Sequence, residues 1–289
     1  MLPLLLASLA LIFLMLVVVF KQSLIVLLFF LFYMPAFEAT SQLSISTRKD
    51  TLIVAGGHKL HFVITKGAEP TILLEAGGGA DATQWKEVQQ EIAKQVNVTV
   101  ISYDRAGYGQ SELINTPYDL IEEVRNLHSC LGALGVGKII LVSHSYGAFL
   151  SQGYQFLYPE NVQGIILADP NNIRFVDSIG FKILMTIPFD TAKPLSISQR
   201  ADVRQTIAFK RTIETLRGMP FSKKIPITVI SAGKDWWPLP KWNLWWRNSH
   251  EVFVSESQNR KLITAEGSAH NIPKESPDVI VDAIMEMLK

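Results

Sequence analysis

The segment Ile139-Ile140-Leu141-Val142-Ser143-His144-Ser145-Tyr146-Gly147-Ala148 limits the possible folds more than any other part of the chain. An apolar run without alternation ends in small-x-Ser-x-Gly, and a helix-forming stretch follows at once. A strand that is apolar at successive positions is buried on both faces, as in a parallel sheet covered by helices on each side. Ser145 then falls on a tight turn between strand and helix, the form of a nucleophile elbow. Small Ser143 two residues before it and Gly147 two after it let the helix pack close. The hydroxyl projects above the C-terminal edge of the sheet, at the positive end of a helix. That posture suits acyl-transfer chemistry, provided the rest of the chain supplies a base, an acid and donors for an oxyanion.

The rest of the chain alternates strand and helix. A hairpin through Gly56-Gly57 is expected from the β-rich runs 52–54 and 60–64. Strands are then expected at 71–74, 98–103, 138–142, 164–168, 227–231 and 262–265. Helices are expected at 84–95, 118–134, 146–157 and 277–288, the last with Val281, Ile284 and Leu288 on one face. A hairpin followed by βα units gives an α/β fold with a mostly parallel sheet and an antiparallel start. The stretch 171–224 has no good strand and is read as a small helical cap inserted over the site.

The amino terminus is of a different kind. Met1 to Phe20 is almost wholly apolar and as a helix would reach about 30 Å, the thickness of a bilayer core. Lys21-Gln22-Ser23 interrupts, and the apolar stretch from Leu24 to Phe37 would reach only about 21 Å. A single anchor, a helical hairpin and a long secretory signal all fit. No basic segment precedes the run and no clear A-x-A site follows it, so a retained membrane anchor over 1–39, with residues 40–289 as the globular domain, is the favoured reading. It implies membrane localisation. Arg48 and Lys49 point weakly to a cytoplasmic domain, and Lys21 weakens that if a hairpin forms. Net charge is +1, which gives no sign of a nucleic-acid partner. Cys130 is the only cysteine, so no internal disulfide can form.

Ligand sites of such sheets lie at the C-terminal strand ends. Glu75-Ala76-Gly77-Gly78-Gly79 follows the first βα strand, and its backbone N–H groups are uncovered. Gly78 N–H and Tyr146 N–H are the natural pair for an oxyanion hole. Asp104-Arg105-Ala106-Gly107-Tyr108-Gly109 reads as a constrained loop. Asp235 follows the strand 227–231 and His270 follows the last strand, giving the chain order Ser145, Asp235, His270. Asp169, in Ala168-Asp169-Pro170, is the rival acid. His58, His61, His128, His144 and His250 are read as packed or solvated side chains, with His144 supporting the turn. No histidine–carboxylate cluster has zinc-ligand spacing, so neither metal nor cofactor is expected.

These segments resemble the α/β-hydrolase superfamily. Leu-Glu-Ala-Gly-Gly-Gly, Tyr-Asp-Arg-Ala-Gly-Tyr-Gly-Gln-Ser, Ser-His-Ser-Tyr-Gly, Ala-Gly-Lys-Asp and Gly-Ser-Ala-His are similar to its motifs and stand in its order. The resemblance implies Ser145 as nucleophile, Asp235 as acid, His270 as base, and Gly78 with Tyr146 as oxyanion hole. Ser143 stands where glycine is commoner, and Ala76 where many members have histidine. A serine nucleophile argues against the dehalogenase and epoxide-hydrolase branches. The expected activity is hydrolysis of a small ester. Five tryptophans within 236–246, among them Trp236 and Trp237, either pack a long loop or form a substrate-binding apolar rim. With the amino terminus, they point to a hydrophobic or lipid-like ester. The alternatives are a prolyl-iminopeptidase-like aminopeptidase and a non-catalytic binding protein of the same fold.

Overall fold

The computed structural model describes residues 48–180, 190 and 192–289. The expected anchor over 1–39 lies outside the described residues. Among those described, no helix is long and apolar enough to cross a membrane.

Eight strands form one sheet: β1 (Arg48–Ala55), β2 (His58–Thr65), β3 (Ala68–Glu75), β4 (Val98–Tyr103), β5 (Ile139–His144), β6 (Val162–Ala168), β7 (Ile227–Ala232) and β8 (Arg260–Ala265). Their order is β1-β2-β4-β3-β5-β6-β7-β8. β1 and β2 form an antiparallel hairpin and β2 pairs antiparallel with β4, whereas every pairing from β4 to β8 is parallel. The described α-helices are α1 (Lys86–Gln95), α2 (Leu120–Ala133), α3 (Gly147–Leu157), α4 (Ile173–Ile179), α5 (Ile197–Arg217), α6 (Pro240–Ser255), α7 (Ile272–Glu275) and α8 (Pro277–Met287).

The apolar strands without alternation are explained by two cores. Leu73, Ile101, Leu141, Ile165 and Val229 face one side, where Val124 and Leu127 of α2 and Phe149 of α3 cover them. Ile72, Val100, Ile140, Ile166 and Ile230 face the other, under Val88 and Ile92 of α1 and Ile280 and Ile284 of α8. Each strand therefore buries successive residues in opposite layers.

Between β6 and β7 the described residues hold α4 and α5 and no strand. The 21-residue α5 begins with a capping box, in which Ser196 and Gln199 satisfy each other's backbone N–H groups. α6 departs from expectation, because 236–246 reads from the sequence as a packed loop or an apolar rim and not as a helix. Pro240 occupies its first turn, and Asn243, Trp246, Ser249 and His250 form its buried face. Pro238, Pro240 and the crowded tryptophans hide a helix whose buried positions recur at spacings of three and four.

Candidate active site

The strand ends align because the register shifts in the β3–β4 and β5–β6 pairs fall near the strand starts and leave the C-terminal halves in step. Glu75 pairs with Ser143, His144 with Ala168, and Ala232 with Ala265. The residues just beyond those ends converge.

Ser145 follows β5 directly and sits at φ 49°, a left-handed conformation that non-glycine residues adopt rarely and at a cost of about 1–3 kcal/mol. The turn is held by Ser145 N–H to Ala168 O (3.1 Å) and by Asn171 N–H to Ser145 O (3.1 Å). Gly147 is required by close approach, since a Cβ there would lie 2.8 Å from Ala76 O.

His270 Nε2 lies 2.9 Å from Ser145 Oγ. His270 Nδ1 lies 2.7 Å from Oδ2 of Asp169, not from Asp235. The expected acid is thus corrected. Asp235 lies three residues beyond the end of β7, with its side chain 57% exposed and its Oδ1 accepting from Arg247 Nη1 at 2.6 Å. Asp169 directly follows β6, is fully buried, and is the other described non-glycine residue with positive φ, at 42°. The left-handed turn directs its carboxylate along the top of the sheet toward His270. Its Oδ1 accepts from Ala232 N–H (2.9 Å) and Trp246 Nε1–H (2.8 Å). Burial pushes this carboxyl up, but the His270 hydrogen bond, the nearby histidines and the Ala232 N–H outweigh burial and hold it below the usual range.

The glycine loop lies where the sequence placed it. A Cβ on Gly78 would lie 3.5 Å from Tyr146 Cβ, so the two backbones are neighbours. Neither the Gly78 nor the Tyr146 N–H has a protein acceptor among the described residues, whereas Gly77 N–H donates to Gln84 Oε1 (2.9 Å). Arg105 fixes the loop from beneath. Its Nη1 donates to Glu75 Oε1 (2.6 Å) and Ala76 O (2.5 Å), and its Nη2 to Gly77 O (2.5 Å). Tyr103 OH also donates to Glu75. Burial raises the Glu75 carboxyl above its ordinary value, against the opposing Arg105 charge.

His144 is structural. Burial, with His270 nearby, lowers it to about 3, so the ring is neutral. Its Nε2 lies 2.7 Å from His270 O and its Nδ1 3.1 Å from Gln84 Nε2. The partners assign the proton to Nε2, with Nδ1 accepting from the amide. One neutral ring thereby joins the glycine loop, through Gln84, to the loop carrying His270.

Trp236 and Trp237 also lie at the site. The Trp236 indole stacks on the His270 ring at 3.9 Å between centroids and 17° between planes. Trp237 packs 4.4 Å from Trp236 and 5.1 Å from Phe175 of α4. Their indole N–H groups have no acceptor among the described residues. The sequence offers no signal for Trp246 or Gln84 at the site. His250, read as packed or solvated, is buried on α6, with Nε2 2.8 Å from Pro170 O. Among the described residues, no group of three or more His, Cys, Asp or Glu side chains is placed to hold a metal.

Residues 72–283 match the alpha/beta hydrolase family. The chain belongs to that family. It is 28% identical to the uncharacterized protein YqjL of Bacillus subtilis over 220 residues, 75% of this chain and 83% of that protein. It is 25% identical to the human (lyso)-N-acylphosphatidylethanolamine lipase over 144 residues, covering 48% of this chain and 35% of the lipase. A thermophilic esterase from Thermogutta terrifontis superposes with a TM-score of 0.56 at 21% identity, covering 84% of this chain and 98% of the esterase. At that identity the likeness is one of fold.

Proposed function

We propose that this member of the alpha/beta hydrolase family is a serine hydrolase that cleaves an ester through an acyl-enzyme. The observation that carries the reading is the continuous hydrogen-bonded line Ser145 Oγ–His270–Asp169 beneath two free backbone donors. Ser145 Oγ attacks the carbonyl carbon while His270 Nε2 takes its proton. Oxygen carries the resulting negative charge and accepts from Gly78 and Tyr146 N–H, each donor being worth about 2.7–4 kcal/mol. Asp169 holds the Nδ1–H tautomer and stabilises the imidazolium without itself becoming protonated. His270 then protonates the departing alkoxide, and the acyl group remains on Ser145. Water, deprotonated by His270, attacks the acyl carbon and releases the acid, restoring Ser145.

The preferred substrate is a hydrophobic or lipid-like ester. Supporting this are the aromatic wall beside His270, the cap formed by α4 and α5, and the likeness to a lipase over part of the chain. The apolar stretch Met1–Phe20 is proposed to tether the domain to a membrane. The aminopeptidase alternative needs carboxylates to hold an amine. Of the acids in the cap, Asp177, Asp190 and Glu214 pair with Arg217, Lys193 and Lys210. Only Asp202 is near the glycine loop, and it accepts from Tyr108 OH at 2.7 Å.

The test is fluorophosphonate labelling together with turnover of p-nitrophenyl esters of graded chain length and of a prolyl anilide. Wild type should label and cleave esters, more efficiently as the acyl chain lengthens, and leave the anilide intact. Ser145→Ala should do neither. Near-wild-type turnover by Ser145→Ala would overturn the assignment, and a protein that neither labels nor hydrolyses would be a binding member of the fold.

A further inference from the structure

Asp169 and His270 are held by side chains from a segment that the reaction itself does not require. Trp246, on the buried face of α6, donates Nε1–H to Asp169 Oδ1 at 2.8 Å. Ala232 N–H takes the same oxygen, which leaves Oδ2 for His270. Trp246 is 1% exposed and its ring meets those of His250 and His270 nearly edge-on, at 69° and 78°. His250 is anchored at both nitrogens, by Pro170 O and Ser231 Oγ. The donor that fixes the carboxylate is therefore itself braced on each side.

Trp236 is braced in the same way. Asn243, buried on α6, accepts from Trp236 N–H (3.0 Å) and Trp237 N–H (2.9 Å) and returns Nδ2–H to Trp237 O (2.9 Å). The Trp236 ring also stands perpendicular to that of Trp246, 5.2 Å away. So clamped, it covers one face of the His270 imidazole.

We propose that Trp246 and Trp236 are positioning residues for the Asp169–His270 pair, Trp246 by fixing the rotation of the carboxylate and Trp236 by stacking on the imidazole. This rests on the serine-hydrolase reading above. The physical need is clear in each case. Without the indole N–H, Oδ1 is a buried carboxylate oxygen with one donor instead of two, and the carboxylate is free to rotate out of line with Nδ1–H. Without the stacked ring, His270 is free to tilt from the line between Oδ2 and Oγ, and the imidazolium formed in each proton transfer loses the negative face of an indole. The segment after β7, whose Asp235 pairs with Arg247 and not with His270, thereby gains a task.

Trp246→Phe keeps an aromatic ring and removes only the donor, whereas Trp236→Leu keeps apolar bulk and removes the π face. Trp246→Phe should lower kcat by roughly ten- to a hundredfold, with KM for short and long p-nitrophenyl esters within about twofold of wild type. Trp236→Leu should lower kcat by roughly three- to tenfold at both chain lengths, and Trp236→Phe should recover most of that loss. In an Asp169→Asn background Trp246→Phe should add nothing, because it acts through that carboxylate. A folded Trp246→Phe enzyme with wild-type kcat overturns the role of Trp246. A Trp236→Leu enzyme with intact kcat overturns the positioning role of Trp236, and a KM that then rises with chain length leaves it as substrate wall alone. If Trp246→Phe folds poorly, kcat per fluorophosphonate-titrated active site decides, and a wild-type value there overturns the role of Trp246. Wild-type protein that takes no fluorophosphonate overturns the hydrolase reading first, and this inference with it.

Discussion

At the residue scale, two side chains held in left-handed conformations carry the line of hydrogen bonds, Ser145 at φ 49° and Asp169 at φ 42°. Strain of this kind persists only where the surroundings over-determine it. Ser145→Gly should therefore melt above Ser145→Ala, although neither should hydrolyse ester, because glycine relieves about 1 kcal/mol of backbone strain. Thermal unfolding of the two inactive proteins checks this, and equal melting points would contradict it. Asp169→Asn should lower kcat by about 10⁴, since an amide favours the wrong imidazole tautomer. Asp235→Asn, which removes only an exposed pair with Arg247, should change kcat by less than about threefold. Steady-state kinetics on one short ester separates the two. From the sequence both acids were candidates, because each lies shortly after the C-terminal end of a strand. In the structure Ser145 and Asp169 each follow their strand directly, whereas Asp235 stands three residues past Ala232.

At the element scale, the glycine loop after β3 is a backbone device held by a charged one. Arg105 and Glu75 are both almost fully buried, and the guanidinium reaches two loop carbonyls as well as the carboxylate. Replacing one member of such a pair leaves an uncompensated buried charge, at a cost of about 3–5 kcal/mol. Arg105→Met should lose stability of that order in urea unfolding, and the folded fraction should also lose kcat, because Gly78 N–H no longer has a fixed position. Full kcat per folded molecule would show that the loop holds itself. The elements themselves were largely readable. Core strands such as 98–103 and amphipathic helices such as α8 have strong local signals. α6 did not, because the face that defines it mixes Asn243, Ser249 and His250 with Trp246, and polar residues become interior only once their hydrogen bonds are assembled.

At the scale of the whole molecule, α5 is fastened to the core by charged and polar contacts. Arg204 reaches Thr116 O and Glu123, Arg211 reaches Asp119, and Tyr108 reaches Asp202. Burial pushes the Glu123 carboxyl up to about 7 despite the charges of Arg204 and Arg105. Between its ordinary value of 4.5 and 7, the folded protein holds a proton that the unfolded chain releases, so this group makes stability fall as pH rises through that window. Glu123→Gln removes the titration. Its gain in melting temperature over wild type should be larger at pH 8 than at pH 5, and an equal gain at both would contradict the assignment.

By itself the sequence determined the layered α/β architecture, the turn that presents Ser145, the glycine loop and His270. Each is a local pattern, in which a continuous apolar run, a small-x-Ser-x-Gly turn or a string of glycines requires its own backbone form wherever the chain goes. Only the tertiary structure chose Asp169 over Asp235 and brought Trp246, Trp236 and Gln84 to the site. Those choices depend on which strand ends lie side by side and on where carboxylates and indoles point after a turn. Contacts between residues 77 and 101 positions apart in the chain, such as Asp169 with Trp246 and with His270, leave no periodic trace in the sequence.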